Sequence, residues 1–473
     1  MTKPTPRSIL DPLLRTSLTA FIERAFYTLN PGQTFLCDHH VRVMAYHLEL
    51  VERRELQRLA IALPPRHLKS HCASVAFSAW VLGRDPTKRI IAASYSADLA
   101  QGFSLLTRKV MAQEWYREIF PGTMFDPKRT TLEEIRTTLN GFRIATSVGG
   151  PLTGKGGNIV ILDDPLKAGE SCSEAARKSA RDWFRTTLLS RLDNPKRDAI
   201  VLVTQRLHVD DLFGLVIEQG GWTTLELPAI ATKNQEIPVA DGKVWMRPAG
   251  DILQPERVGK AELEQLRKDL GSANFEAQYQ QQPHPPKGNL VQLEWFERYD
   301  EPLQRDRYEA VFQSWDTAMV PGEGNDYSVC TTWGILGTRF YLLDVFREQL
   351  NYPDLRREVI RLQDESQATI VVVEAAGSGI PLYQDLHETR ETWLFNIHPE
   401  GDKVSRLAHQ SAKIEEGMVY LPKTAPWLAA FESEVAVFPN GKHDDQVDSM
   451  TQFLRALDHR PLPLLSLSLY AGC

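Results

Sequence analysis

The chain has 473 residues, with 54 Lys and Arg against 61 Asp and Glu and a formal charge of -7. Hydrophobic residues at 42% and charged residues at 24% exclude a wholly disordered or collagen-like chain. The length predicts about two to three domains, each with its own core. The acidic balance argues mildly against a polyanion as partner, although a local basic patch can bind phosphate on an acidic chain. Cys37, Cys72, Cys172, Cys330 and Cys473 are scattered, with no C-x-x-C pair. A zinc ribbon is excluded, and a reducing compartment fits better than a disulfide framework.

In chain order, Leu10, Leu13, Leu14, Leu18, Phe21 and Ile22 are spaced as one face of an amphipathic helix, interrupted by charges. No signal peptide and no apolar run of membrane-spanning length is visible, so the expectation is a soluble, intracellular protein. Arg58–Leu63 reads as an apolar strand, followed by a helix from about Ser70 to Leu82. Arg89–Ser94 is a second strand and Leu99–Met111 a second helix; Asn158–Leu162 and Ala199–Thr204 are two more buried strands. Strands separated by helices predict a mainly parallel sheet covered on both faces. Between about Ala231 and Asn289 the pattern weakens, and Gln280–Asn289, with three prolines, reads as a boundary. Strands then follow at Val311–Thr317, Tyr327–Trp333 and Phe340–Val345, a helix at Asp354–Gln363 and a strand at Thr369–Glu374. Three antiparallel strands, a helix and a strand match a ribonuclease H-like sheet. Arg460–Cys473 reads as a tail.

Two groups of residues carry chemistry. The strand Arg58–Leu63 runs into Pro64-Pro65-Arg66-His67-Leu68-Lys69-Ser70 and then a helix. That is the layout of a phosphate-binding loop, with Lys69 reaching β/γ-phosphates and the Ser70 hydroxyl binding Mg²⁺. Both glycines of the strict motif are missing, since Leu63 and Leu68 stand in their places; a plain strand-to-helix turn is the alternative. Ile159–Leu162 ends in Asp163-Asp164-Pro165. Asp163 is placed to hold a nucleotide-bound Mg²⁺ and Asp164 to orient the attacking water, although Asp-Asp-Pro also starts ordinary turns. The tip Thr204-Gln205-Arg206 suits sensing of a γ-phosphate.

The second group is acidic. Asp316 lies inside an apolar strand, where an unpaired carboxylate is costly. Glu374 ends the buried strand TIVVVE. Asp445 and Asp448, three apart, share the face of a helix opened by His443-Asp444, where the helix dipole alone also favours acids. Taken together they are oxygen ligands for two Mg²⁺ or Mn²⁺ ions that clamp a phosphodiester. Asp326 is a lesser candidate.

These segments, in this order, resemble the large terminase subunit of tailed bacteriophages or prophages. The resemblance lies in PPRHLKS, LTGKGGNIVILDDP, TQRLHVDDL, FEAQYQQQP, SWDTA, NDYSV, YLLDVFRE, VVVEAAGSG, GDKVSR and FPNGKHDDQVDSMTQFL. It implies an α/β chain with an N-terminal P-loop (ASCE-type) ATPase at 1–230, a subdomain and Pro-rich linker at 231–290, a ribonuclease H-like nuclease at 291–460 and a tail at 461–473. By resemblance, Pro65, Arg66, His67, Leu68, Lys69, Ser70, Asp163, Thr204, Gln205 and Arg206 bind ATP, with Mg²⁺ at Ser70 and Asp163. Asp164 stands where relatives commonly carry a catalytic glutamate. Asp316, Glu374, Asp445 and Asp448 fall on the nuclease metal ligands, with the direct ligand of the last pair left open. The implied activity is ATP-driven translocation of double-stranded DNA into a procapsid and metal-dependent cutting of the concatemer. The implied partners are a portal protein, a terminase small subunit and further copies in a ring, in the host bacterial cytoplasm and away from membrane. The basic candidates for DNA contact are Arg177, Lys178, Arg181, Arg185, Arg191, Lys403 and Arg406. A nucleic-acid helicase or translocase without nuclease activity, a recombinase or transposase, and an inactive prophage remnant are the competing readings.

Overall fold

The computed structural model describes residues 6–152, 154–283, 290–317, 327–387, 393–399, 401–441 and 443–459. They form two compact units, 1–267 with 273–285 and 268–272 with 286–473. Asp326 and the tail 461–473 lie outside the described residues.

The first unit is built on strands β1 (Arg58–Ala62), β2 (Arg89–Ser94), β3 (Glu134–Arg136), β4 (Phe142–Ser147), β5 (Ile159–Asp163), β6 (Ala199–Thr204) and β7 (Thr223–Glu226). Their order is β3-β4-β2-β5-β6-β1-β7. All pairs are parallel except β3 with β4. β6 therefore separates β1 from β5, so the candidate phosphate loop and the Asp163-Asp164 tip flank the Thr204 tip on one sheet edge. Alternate residues of these apolar strands feed two cores, as burial on both faces requires. Leu59, Ile61, Ile90, Ile161, Val201 and the helices Leu18–Leu29 and His39–Glu52 fill one face. Ala60, Leu162, Leu202, Trp183 and Phe213 fill the other.

Besides short edge strands, three departures from the sequence expectation stand out. The helix after the loop begins with a wide π-type winding at His71–Phe77 before the regular turns of Ser78–Arg84. β4 is an addition to the expected strands, because Phe142–Ser147 holds the charged Arg143 as its second residue. The weakly patterned stretch after Ala231 forms a hairpin, β8 (Gln235–Ala240) with β9 (Lys243–Arg247), and the helices Lys260–Leu270 and Ser272–Gln278.

The second unit carries β10 (Glu297–Tyr299), β11 (Ala310–Asp316), β12 (Ser328–Leu336), β13 (Arg339–Glu348), β14 (Ile370–Glu374), β15 (Trp393–Ile397) and β16 (Val419–Pro422) in the order β10-β16-β13-β12-β11-β14-β15. β11, β12 and β13 are antiparallel, and β14 returns parallel to β11 after the helix Tyr352–Ser366. The C-terminal helix Asp445–His459 lies against β11 and β12. Ser449 Oγ donates to the Ser314 carbonyl at 2.8 Å, and Gln452 Nε2 to the Trp315 carbonyl at 3.1 Å. These bonds carry the start of the helix to the end of β11.

Candidate functional site

In the first unit the loop after β1 has left-handed backbone at two residues that are not glycine, Arg66 (φ 64°) and Leu68 (φ 62°). Leu68 thus takes up the positive φ that glycine adopts freely, so its side chain does not block the curl of the loop. The curl brings Lys69 Nζ within 3.1 Å of Asp164 Oδ2. Ser70 Oγ donates to Asp163 Oδ1 at 2.9 Å, and Ser74 Oγ to Asp163 Oδ2 at 2.5 Å. Asp164 itself sits at φ 45° and accepts from the Gln205 amide through Oδ1 at 3.2 Å. Burial, then the neighbouring charge of Asp164, pushes the Asp163 carboxyl up to about 7. A carboxylate in that position gains from a bound cation.

A cavity of about 930 Å³ opens over this constellation. Its lining combines polar residues, among them Arg66, Lys69, Ser70, Asp164 and Gln205, with apolar ones, among them Phe26, Leu29, Leu36, Phe103 and Leu106. Asp163, His67, Thr204 and Arg206 do not line it. The His67 ring contacts the Pro65 carbonyl at 2.9 Å and stands edge-on to His40. Thr204 Oγ1 donates to the Gln205 carbonyl. Arg206 Nε is held by both oxygens of Asp211, at 3.2 and 3.1 Å. In this structure the polar groups of His67, Thr204 and Arg206 are engaged inside the protein. Asp211 also caps the helix Leu212–Gln219 through the Gly214 amide.

In the second unit Asp316, at the end of β11, and Glu374, at the end of β14, line one small cavity with Asp448. Burial first, then Asp448, Glu374 and Asp445, holds the Asp316 carboxyl well above the carboxylate range. Burial also raises Glu374, against the lowering effect of Arg406. The two helix acids separate. Asp448 opens into the cavity, whereas Asp445 is buried and faces Arg347 Nη2 at 3.8 Å. Arg347 also reaches Glu434 at 3.5 Å and lies 4.2 Å over the Tyr327 ring. Glu434 in turn accepts from the Gln446 amide at 2.7 Å and fixes the helix start.

The donor set consists of oxygens on a crowded, partly buried carboxylate cluster, which is chemistry suited to a hard divalent ion. Among the described residues, no three ligating side chains already converge on one point. Two cations lie among them instead: Lys403 Nζ is 2.6 Å from Asp444 Oδ1 and 2.6 Å from Asp448 Oδ2, and Arg406 Nη2 is 2.9 Å from Asp448 Oδ1. Lys403 and Arg406, the expected DNA contacts of this unit, are thus paired with acids of the cluster. Arg177 is likewise buried, donating to the Ser171 carbonyl at 2.7 Å, and Arg191 donates to the Leu152 carbonyl at 3.1 Å. Lys178 and Arg185 stay exposed, and Arg181 is half-buried.

The family model of the terminase RNaseH-like domain matches residues 313–457. Two crystal forms of the large terminase of a thermophilic bacteriophage share the architecture of nearly the whole chain. One has a TM-score of 0.55 at 9% identity, covering 90% of this chain and 99% of that one. The other, in complex with ADP, has a TM-score of 0.52 at 9% identity, covering 89% and 99%. The chain carries a terminase RNaseH-like domain on a large-terminase fold. No curated protein matches the sequence.

In this large-terminase fold, several residues that position the sites carry little mark in the sequence. Arg143, on β4, is completely buried, and none of its three guanidinium nitrogens has a hydrogen-bond partner. Burial lowers it to about 10, partly offset by the charge of Asp163. A charged residue inside FRIATS is the available signal. Arg347 and Glu434 have no such mark, because their roles depend on pairing between distant strands and helices.

Proposed function

We propose that the chain is the motor and nuclease of a DNA-packaging machine. In the first unit, Lys69 and Arg66 bind the phosphates of ATP, and Ser70 and Asp163 hold the accompanying Mg²⁺. The Lys69–Asp164 ion pair opens when phosphate takes over Lys69, which frees Asp164 to orient water. The apolar part of the cavity lining accepts the base. In the second unit Asp316, Glu374 and Asp448 hold two Mg²⁺ or Mn²⁺ ions, with Asp445 fixing the helix through Arg347. Bound metal supplies an activated water and neutralises the leaving oxygen of the phosphodiester. The substrate is double-stranded viral DNA. The partners are a portal protein, a small subunit and other copies of the chain in a ring, in the host cytoplasm. Among the described residues, no helix is long and apolar enough to cross a membrane.

The observation that carries this reading is the presence of both constellations on one chain: Lys69 and Ser70 facing Asp164 and Asp163 across β6, and the carboxylates at the ends of β11 and β14. Lys69→Ala is expected to abolish ATP hydrolysis and leave Mn²⁺-dependent plasmid nicking intact. Asp316→Ala is expected to do the reverse. Normal ATP turnover by Lys69→Ala would remove the motor assignment. Nicking by Asp316→Ala at the wild-type rate would remove the nuclease assignment.

A further inference from the structure

We infer that Arg257 is a further phosphate-contacting residue of the nucleotide cavity, supplied by the turn after the β8–β9 hairpin. This rests on the nucleotide reading of that cavity. Gln254 and Arg257 line it together with Arg66, Lys69 and Lys167. The turn is fixed in place: the Leu253 amide donates to the Ala229 carbonyl at 2.8 Å, and the Arg257 and Val258 amides donate to the Gln254 carbonyl at 3.1 and 3.0 Å. Leu253 is buried. Gln254 is 2% exposed, and its Oε1 has no hydrogen-bond partner in the wall of the cavity.

The charges decide between a solvated surface arginine and a ligand-binding one. Lys69 is paired with Asp164. Among the described residues, no carboxylate lies in ion-pair range of Arg66 or Arg257. The two guanidiniums instead act on each other, and the charge of Arg257 reaches His67 and His40. A turn and a curled loop thus hold two cations without an acidic partner among the described residues in the lining of one cavity, an arrangement that repels itself until an anion enters. A guanidinium presents a planar fork of donors that matches two phosphate oxygens. The polyphosphate of a nucleoside triphosphate supplies the charge and the oxygens. Arg257 belongs to the stretch where periodicity weakens, so its contact ties that stretch to bound nucleotide.

The test uses the full chain, a fluorescent ATP analogue, and competition by ATP and by adenosine. Arg257→Ala is expected to weaken ATP binding by about tenfold or more, the usual loss for a hydrogen bond to a charged group, with adenosine competition unchanged. Arg257→Lys is expected to recover part of the loss, since it keeps the charge without the fork. The melting temperature without nucleotide controls for folding. Wild-type ATP affinity in Arg257→Ala, beside lost binding in Lys69→Ala, would overturn the inference and leave the nucleotide reading standing. Equal loss of ATP and adenosine would assign Arg257 a purely structural role and overturn it as well. A wild-type chain that binds no ATP would overturn the nucleotide reading itself.

Discussion

His67, in the loop after β1, stands edge-on to His40, with 5.6 Å between ring centroids. Burial lowers His40 to about 3 and His67 to about 4. For His40 burial outweighs the opposing backbone contact of His67, so the native state keeps that ring neutral while the unfolded chain takes up a proton below about 6.5. The unfolded state then binds more protons between the two values, and stability falls as pH falls through that window. At pH 5 the His40 contribution is roughly 2 kcal/mol. His40→Phe keeps a buried ring and removes the protonation. The loss of melting temperature between pH 7 and pH 5 is expected to shrink in this variant, with little change at pH 7. An unchanged pH profile would show that His40 is not the acid-sensitive group. Leu68 and Arg66, in the same loop, carry backbone strain of about 1–3 kcal/mol each. Their left-handed conformation is held by the packing of the loop, because the sequence offers no glycine there.

At the scale of elements, the C-terminal helix delivers Asp448 to the ends of β11 and β14, and the helix Lys403–Glu415 delivers the cations that meet it. Lys403 bridges Asp444 and Asp448, so a metal ion that binds Asp448 competes with an ammonium group already there. Lys403→Met is expected to lower the melting temperature in EDTA, because Asp448 loses a counter-ion, and to tighten Mn²⁺ binding in calorimetry by about threefold or more. The modest size reflects a lysine that is 44% exposed and therefore screened. Weaker Mn²⁺ binding in this variant would instead place Lys403 in support of the metal. The strands that carry the carboxylates are legible in sequence, since VFQSWDT and TIVVVE are apolar runs with one acid at a fixed end. The curled loop after β1 is legible from its neighbours despite the missing glycines. Lys403 and Arg406 are visible as basic residues, but their partners lie about forty positions away in sequence, and only the packing of two helices brings them together. Arg206 follows the same pattern, because its polar strand tip resembles a sensor while Asp211, five residues on, closes around it. Periodicity reports which face of an element is buried. It does not report which polar side chain is satisfied there.

For the whole molecule, each unit has its own hydrophobic core: one set around β1, β5 and β6, the other around β11, β12 and the C-terminal helix. The acidic excess also divides between them. Asp163 and Asp164 belong to one proposed site and Asp316, Glu374 and Asp448 to the other, and on that proposal part of the net charge of -7 would be balanced by bound cations. Separate cores and separate ligands lead to separate unfolding. Calorimetry of the full chain is expected to show two transitions. ADP or a slowly hydrolysed ATP analogue at about 100 times its dissociation constant adds ~2.7 kcal/mol to the unit that binds it. That is expected to move one transition by about 5–10 °C and leave the other in place. Mn²⁺ is expected to move the other, and Asp316→Ala to abolish that shift without touching the nucleotide-dependent one. Magnesium-free nucleotide in the first experiment keeps divalent ions off the proposed carboxylate site of the second unit. A single transition moved by both ligands would mean that the units unfold together, and Lys69→Ala and Asp316→Ala could then no longer be read as independent lesions.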